Sequence, residues 1–422
     1  MSRIVLATAG SLGDLHPYLA IGVGLKTRGH QVVVATSEFH RGRVLAAGLE
    51  FGSLGNLLSP EHSTEEAMRK AFDRRTGLAY VIKERVLPFV EQSYRDLLAI
   101  CDDADFILRH PAMFAVPAVA ERLGVPWMVA VLSPHTLLSA HDPPRLASAP
   151  WMYGLRWMGP LPHTILLGAL KAASSKLTEP LVRLRKKEGL RQGPRTLYGN
   201  MFSHWGTIAC WSSLFAPPQK DWPVRTTATG FAVYESSDSN AAGELALEAF
   251  MAAGGPPVVF TLGSAAVLDP GDFFEQSVAA VRQLGHRGVL MVGSDAQRFA
   301  ALASPEILVT SYAPYSQVFP RAAAVVHHAG VGTTAMALRA GVPSLAVPRG
   351  LDQPDNAARL QRLGVALTVE PEDYRSDKIA PRLHRLLDEP AFRSSAQSLV
   401  SAISAEDGVG NACATIERIC HG

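Results

Sequence analysis

The side chains best suited to chemistry fall in a few short stretches. Gly10-Ser11-Leu12-Gly13-Asp14-Leu15-His16-Pro17-Tyr18 offers a carboxylate, Asp14, and an imidazole, His16. Either can take a proton from a bound hydroxyl that comes within hydrogen-bond reach. Asp14 also stands where a carboxylate caps a helix start, and capping and proton transfer are compatible there. Val325-Val326-His327-His328-Ala329-Gly330-Val331-Gly332-Thr333-Thr334 reads as a buried strand ending in two histidines, a small-residue turn, and a helix opening at Thr333. Free N–H groups at a helix start, the helix dipole, and glycines that admit a close ligand make an anion site suited to a diphosphate. A histidine at the strand end adds a hydrogen bond or a positive charge. The same residues also suit an ordinary strand–turn–helix with capping threonines. Further on, Gly341-Val342-Pro343 ends that helix, and Asp352-Gln353-Pro354-Asp355-Asn356 follows a strand running to Pro348. A carboxylate and an amide at a strand's carboxyl end stand where open α/β sheets bind ligands, and Asp and Gln hold sugar hydroxyls in a fixed orientation.

The elements that must position these groups alternate in βαβ rhythm, which predicts a doubly wound parallel sheet in each half of the chain. In the first half, Arg3–Ala9, Gln31–Thr36, Ala104–Leu108 and Pro126–Val131 read as strands, Leu15–Arg28 and Phe114–Leu123 as helices, and Thr64–Ile100 as a long helical stretch. After the break Gly254-Gly255-Pro256-Pro257, strands are expected at Val258–Leu262, Gly288–Val292, Ile307–Thr310, Ala324–His327 and Ser344–Val347. The expected fold class is α/β, with two Rossmann-like doubly wound domains facing a central cleft. The expected bounds are 1–229 for an acceptor-binding domain, 230–243 for a Ser- and Asn-rich linker, and 244–389 for a nucleotide-sugar-binding domain. Helices of 390–422 are expected to pack back across both.

Composition narrows the classes. A chain of 422 residues, 47% apolar and 18% charged, suits two globular domains. The net charge of +2, from 40 basic and 38 acidic residues without a basic run, gives no nucleic-acid footprint. Cys101, Cys210, Cys413 and Cys420 form no zinc spacing and suit a reduced, cytoplasmic setting. No His/Asp/Glu cluster has metal-ligand spacing, so no obligatory metal or cofactor is expected. The apolar run Ile4–Ala9 is too short for a signal peptide, and nothing approaches a spanning helix, which leaves peripheral membrane contact as the expected limit. Ala149–Ala173 is rich in Trp, Met, Leu and Pro, with Arg156 and Lys171 its only basic residues. It reads as the wall of an apolar acceptor pocket, a membrane-touching surface, or helices closing the domain's own core.

Tyr312–Asn356 resembles the C-terminal signature of the family 1 (UDP-glycosyltransferase-like) GT-B glycosyltransferases, through Tyr312-Ala313-Pro314, His328-Ala329-Gly330, Gly341-Val342-Pro343 and Asp352-Gln353. The resemblance implies a nucleotide diphosphate sugar as co-substrate. It places Tyr312 and Ala313 at the nucleobase, His328 and Gly330, Gly332, Thr333 and Thr334 at the diphosphate, and Asp352 and Gln353 at the sugar. Ser264, in Thr261-Leu262-Gly263-Ser264, also reaches phosphate by this likeness, and Ser11 and Gly13 join the donor-binding set. Where many members hold the ribose with a glutamate, this chain has Met336. Either the donor is a deoxyribonucleotide such as dTDP-rhamnose, or Met336 is core packing and another residue holds the ribose.

In histidine-base members the motif reads Gly-His-x-x-Pro, and that spacing falls on Asp14, three residues before Pro17. The form found here resembles the sterol glucosyltransferase and rhamnosyltransferase branch, favouring Asp14 as base over His16. An Asp-Pro that orients the histidine elsewhere in the family is here His110-Pro111, which suggests an exchanged dyad of Asp14 and His110. Ser133–His141 and Phe215–Pro223 resemble the rhamnosyltransferases whose members attach rhamnose to 3-hydroxy fatty acid lipids. His135, Trp151 and Trp157 are the expected acceptor-pocket residues. The expected reaction is inverting transfer of a hexose or deoxyhexose, from UDP-glucose or dTDP-rhamnose, to a hydroxyl of a small apolar acceptor: a lipid, sterol, flavonoid or other natural product. A non-catalytic sugar-nucleotide-binding protein and a sugar-nucleotide epimerase are the rival readings.

Overall fold

The computed structural model describes residues 1–55, 65–235 and 241–420. The core of the expected linker, 236–240, and the start of the stretch expected to be helical from Thr64 lie outside the described residues. The chain divides into two compact units, one of Met1–Tyr234 with Asp407–Gly422, the other of Glu235–Glu406.

The first unit holds a parallel sheet of β1 (Arg3–Ala7), β2 (Gln31–Thr36), β3 (Glu50–Ser53), β4 (Phe106–Arg109), β5 (Trp127–Val131), β6 (Thr207–Ala209) and β7 (Thr226–Ala228) in the order β3-β2-β1-β4-β5-β6-β7. Central strands covered on both faces need apolar residues throughout, and Ile4 to Ala7 are each wholly buried. The second unit repeats the plan with β8 (Val258–Thr261), β9 (Gly288–Met291), β10 (Ile307–Thr310), β11 (Ala324–His327), β12 (Ser344–Ala346) and β13 (Ala366–Thr368), ordered β10-β9-β8-β11-β12-β13. In both sheets the strand order reverses beside the first strand, at β1/β4 and at β8/β11. Doubly wound sheets bind ligands at that switch point, outside the carboxyl ends of the strands.

Thr64–Ile100 is not one helix. Asp73 accepts the N–H groups of Arg75 (3.0 Å) and Thr76 (2.7 Å), which ends the helix Glu65–Phe72. A short helix Gly77–Tyr80 and a π-helical turn Val81–Val86 follow, and Pro88 then interrupts the ladder before the helix Val90–Ile100. β3, β6, β7 and β13 were not expected, being short and carrying polar or small residues. The helix Pro390–Ala405 belongs to the second unit. The helix Gly408–Cys420 belongs to the first, where it packs on the helix Leu12–Thr27. There Glu417 meets Arg28 at 2.7 Å and His30 at 3.2 Å.

Candidate functional site

At the first unit's switch point, Ala7 lies in register with Arg109, so the turns after β1 and β4 emerge side by side. Gly10 turns the chain at φ +129°, and a Cβ there would come within 2.3 Å of Asp14 Oδ2. The helix Leu12–Thr27 starts on a capping box. Asp14 Oδ2 accepts from the Ser11 N–H (2.8 Å) and hydroxyl (3.0 Å), and the Gly13 N–H donates to Ser11 Oγ (3.2 Å). Oδ1 lies 3.4 Å from His110 Nε2. The Ala112 N–H donates to His110 Nδ1 (3.2 Å), which puts the ring proton on Nε2, facing Asp14. Burial would raise the Asp14 pKa, but the His110 and Ser11 hydrogen bonds outweigh it and hold the carboxyl below its usual range. The side chain remains 33% exposed, which leaves it within reach of a ligand.

Arg109 fixes the turn that carries His110. Its guanidinium is wholly buried and donates to the carbonyls of Met113 (2.9 Å), Pro111 (3.2 Å) and Met201 (3.0 Å). Burial pushes its pKa down to about 9, so it stays charged at neutral pH. A charged residue ending an otherwise apolar strand was the signal for it in the sequence. His16 is placed against Tyr234, ring centroids 5.4 Å apart. Burial, with Arg43 and His40 nearby, pushes it down to about 4.

The second unit's switch point is built alike, with His327 in register with Thr261. Ala329 turns the chain at φ +63°. The His328 ring is clamped by two glycines. A Cβ at Gly263 would lie 2.4 Å from its Cε1, and one at Gly330 2.2 Å from its Nε2. Burial first, then His327 and Arg349, push His328 down to about 3. As it stands it offers hydrogen bonds and not the positive charge. His327 is wholly buried, and its Nδ1 accepts from the Ala329 N–H at 3.1 Å.

The helix Val331–Ala340 starts at Gly330 with no side-chain cap and no acidic residue in its first turn. Its first ladder bond runs from the Thr334 N–H to the Gly330 carbonyl, 2.9 Å. The N–H groups before it are those a helix start leaves for a ligand. Gly332 is exposed, while Thr333 and Thr334 are buried. Tyr315, missed in the sequence, joins Thr261 (3.1 Å) to Thr333 by hydrogen bonds.

Asn356 Nδ2 donates to Asp352 Oδ2 (2.7 Å) and to the Ala329 carbonyl (3.0 Å), tying the Asp-Gln pair to the histidine turn. Asn356 was missed in the sequence; its place four residues after Asp352, the N-cap of the helix Gln353–Arg362, was the signal for it. Gln353 Oε1 accepts the Arg349 N–H at 2.8 Å, which leaves the amide NH2 as its donor group. Arg349 also donates to the Asp269 carbonyl and, at 3.1 Å, to that of Pro270. Tyr312 is 42% exposed and Ala313 buried. Ser264, following Gly263, is exposed. Of the acceptor-pocket candidates, His135 is half-buried, whereas Trp151 and Trp157 stand 60% and 80% exposed on the surface. Met336 is 8% exposed, packed in the core. Among the described residues no group of His, Cys, Asp and Glu could hold a metal ion.

Residues 4–141 match the glycosyltransferase family 28 N-terminal domain, and residues 276–411 match the erythromycin biosynthesis protein CIII-like C-terminal domain. The chain is 33% identical to the O-mycaminosyltylonolide 6-deoxyallosyltransferase of Streptomyces fradiae, over 99% of this chain and 97% of that one. It is 28% identical to a sterol 3-beta-glucosyltransferase of Arabidopsis thaliana, over 97% of this chain and 64% of the relative. The fold matches that of the glycosyltransferase VinC in complex with dTDP, with a TM-score of 0.70 at 19% identity over 99% of each chain. With two parallel-sheet Rossmann-like units and these relatives, the chain belongs to the family 1 GT-B glycosyltransferases and is a nucleotide-sugar-dependent glycosyltransferase.

Proposed function

We propose that the protein transfers a deoxyhexose, with inversion, from a thymidine diphosphate sugar to a hydroxyl of a small apolar natural product, with Asp14 as general base. The observation that carries this reading is the Asp14–His110 pair at the first unit's switch point. It is an ionised carboxylate with one oxygen fixed by Ser11 and the other facing the His110 Nε2–H. As the acceptor oxygen bonds to the anomeric carbon, its proton passes to Asp14 and the C–O bond to the diphosphate breaks. His110 orients the carboxylate, and Arg109 holds His110 in place. In the second unit, the open start of the helix Val331–Ala340 and His328 take the diphosphate as its charge grows. Ser264 adds a hydroxyl there, Tyr312 takes the base, and Asp352 and Gln353 take the sugar.

The donor choice is supported by Met336 standing where a ribose-binding glutamate is common, by a relative named for 6-deoxyallose, and by a neighbour solved with dTDP. UDP-glucose is the second reading, favoured by the sterol glucosyltransferase relative. The test offers dTDP-rhamnose or UDP-glucose with a pool of hydroxylated acceptors and reads products by mass. Deoxyhexose addition from dTDP-rhamnose alone supports the proposal. Hexose addition from UDP-glucose alone replaces the donor and makes Met336 packing only. Epimerised sugar nucleotide without any acceptor would overturn the transferase reading altogether.

A further inference from the structure

We infer that the surface formed by residues 150–173 of the first unit docks the protein on an anionic lipid surface. The helix Pro160–Ala173 is apolar on both faces. Its inner side buries His163 and Leu167. His163 reaches the carbonyls of Gly159 (3.2 Å) and Met152 (2.9 Å), and Leu167 shares a small core with Met152, Ala140 and Leu146. The outer side of a surface helix is ordinarily polar. Here it presents Leu161 and Ile165, 70% and 66% exposed, and the turns before it add Trp157 at 80%. Trp151 and Met158 are exposed as well. Large apolar side chains gathered this way mark an interaction surface.

Charge identifies the occupant. Between Asp142 and Glu179 the sequence holds no acidic residue, while Arg156 and Lys176 stand exposed within it; Lys171 turns inward, its ammonium 4.2 Å over the Tyr198 ring. The Arg156 guanidinium lies 4.7 Å over the Tyr153 ring, a cation carried on apolar surface. Tryptophan and leucine beside basic residues without acids is the composition of an interfacial helix on anionic lipid. A second copy would bring the same basic set against itself, which disfavours self-association through this face. No helix among the described residues is long and apolar enough to cross a bilayer, so the contact is peripheral.

Docking of this kind is separate from the transfer reaction, and its test needs neither donor nor acceptor. The full chain is sedimented with vesicles of phosphatidylcholine alone or mixed with phosphatidylglycerol. Binding to the mixed vesicles only, weakening as salt rises, is expected. Leu161→Ser/Ile165→Ser should lower the partition at least about tenfold. Its melting temperature should not change, because both side chains are exposed. Ile165→Gln alone serves if the pair misfolds, and Arg156→Gln/Lys176→Gln should remove much of the preference for anionic lipid. Absence of sedimentation with either vesicle would overturn the inference. Equal binding to both vesicles would do the same. So would a concentration-dependent dimer without vesicle binding that Leu161→Ser/Ile165→Ser abolishes.

Discussion

Two turns, one in each unit, share a plan and carry opposite chemistry. After β1 the chain runs Gly10-Ser11-Leu12-Gly13-Asp14, and after β11 it runs Ala329-Gly330-Val331-Gly332-Thr333. Ser11 and Gly330 are the N-caps of the helices that follow, so Gly13 matches Gly332, and Asp14 matches Thr333 at the third helical position. In the first unit the helix start is filled by the chain's own carboxylate. In the second it is capped by no side chain and carries no acid. The dipole that steadies Asp14 as an anion in one turn is free to attract a ligand's anion in the other. One side chain three places into a helix thus separates the turn proposed to hold the base from the turn proposed to hold the diphosphate.

The largest effect should come from breaking the first turn. Asp14→Asn should lower turnover by about two to four orders of magnitude, the usual worth of a general base. Donor affinity, measured by titration calorimetry, should stay near that of the unaltered enzyme. Full activity in this variant would transfer the role to His16. His110→Ala removes the N–H that opposes the burial of Asp14. The carboxyl pKa should then rise, and the acid limb of the pH–rate profile should move to higher pH with it. An unmoved limb would reduce His110 to packing.

Making the second turn resemble the first should cost donor binding. Thr333→Asp installs the missing carboxylate at the helix start, and donor affinity should fall at least about tenfold through charge repulsion. Thr333→Asn loses the same hydroxyl to Tyr315 without adding charge and should fall less. Equal losses would show that the hydroxyl, not the empty helix start, matters. Gly330→Ala sharpens the point from the steric side, since its Cβ would displace the His328 ring. It should match His328→Ala in weakening the donor.

Both turns were legible in the sequence because each joins a fully apolar strand to a helix through small residues at fixed spacing. The central strands were legible for the same reason, whereas Glu50–Ser53 and Ala366–Thr368 were not: edge strands need little apolar content. The Asp14–His110 contact was legible only as two motif positions. Its tautomer depends on the Ala112 N–H, a backbone group that no sequence pattern displays. The glycine clamp on His328 was equally hidden, because Gly263 and Gly330 meet only through the pairing of β8 with β11.

Histidines set the smallest effect, on stability. His16 and His327 are pushed down to about 4 and His328 to about 3, each chiefly by burial. The folded protein therefore binds fewer protons than the unfolded chain between these values and the ordinary histidine pKa near 6.5. Stability contributed by each group is fully present above about 6.5 and is lost as pH falls through the folded value. Asp14, also lowered, acts in the same direction but below the ordinary carboxylate range. The melting temperature should accordingly be level above neutrality and decline from about pH 6.5 toward 4. His327, wholly buried, contributes roughly 3 kcal/mol at most to that decline. Calorimetry across this pH range on His327→Leu should show a shallower descent than on the unaltered chain. An identical descent would move the acid sensitivity to the other two rings, one at each switch point, and variants of His16 and His328 would then tell which unit opens first.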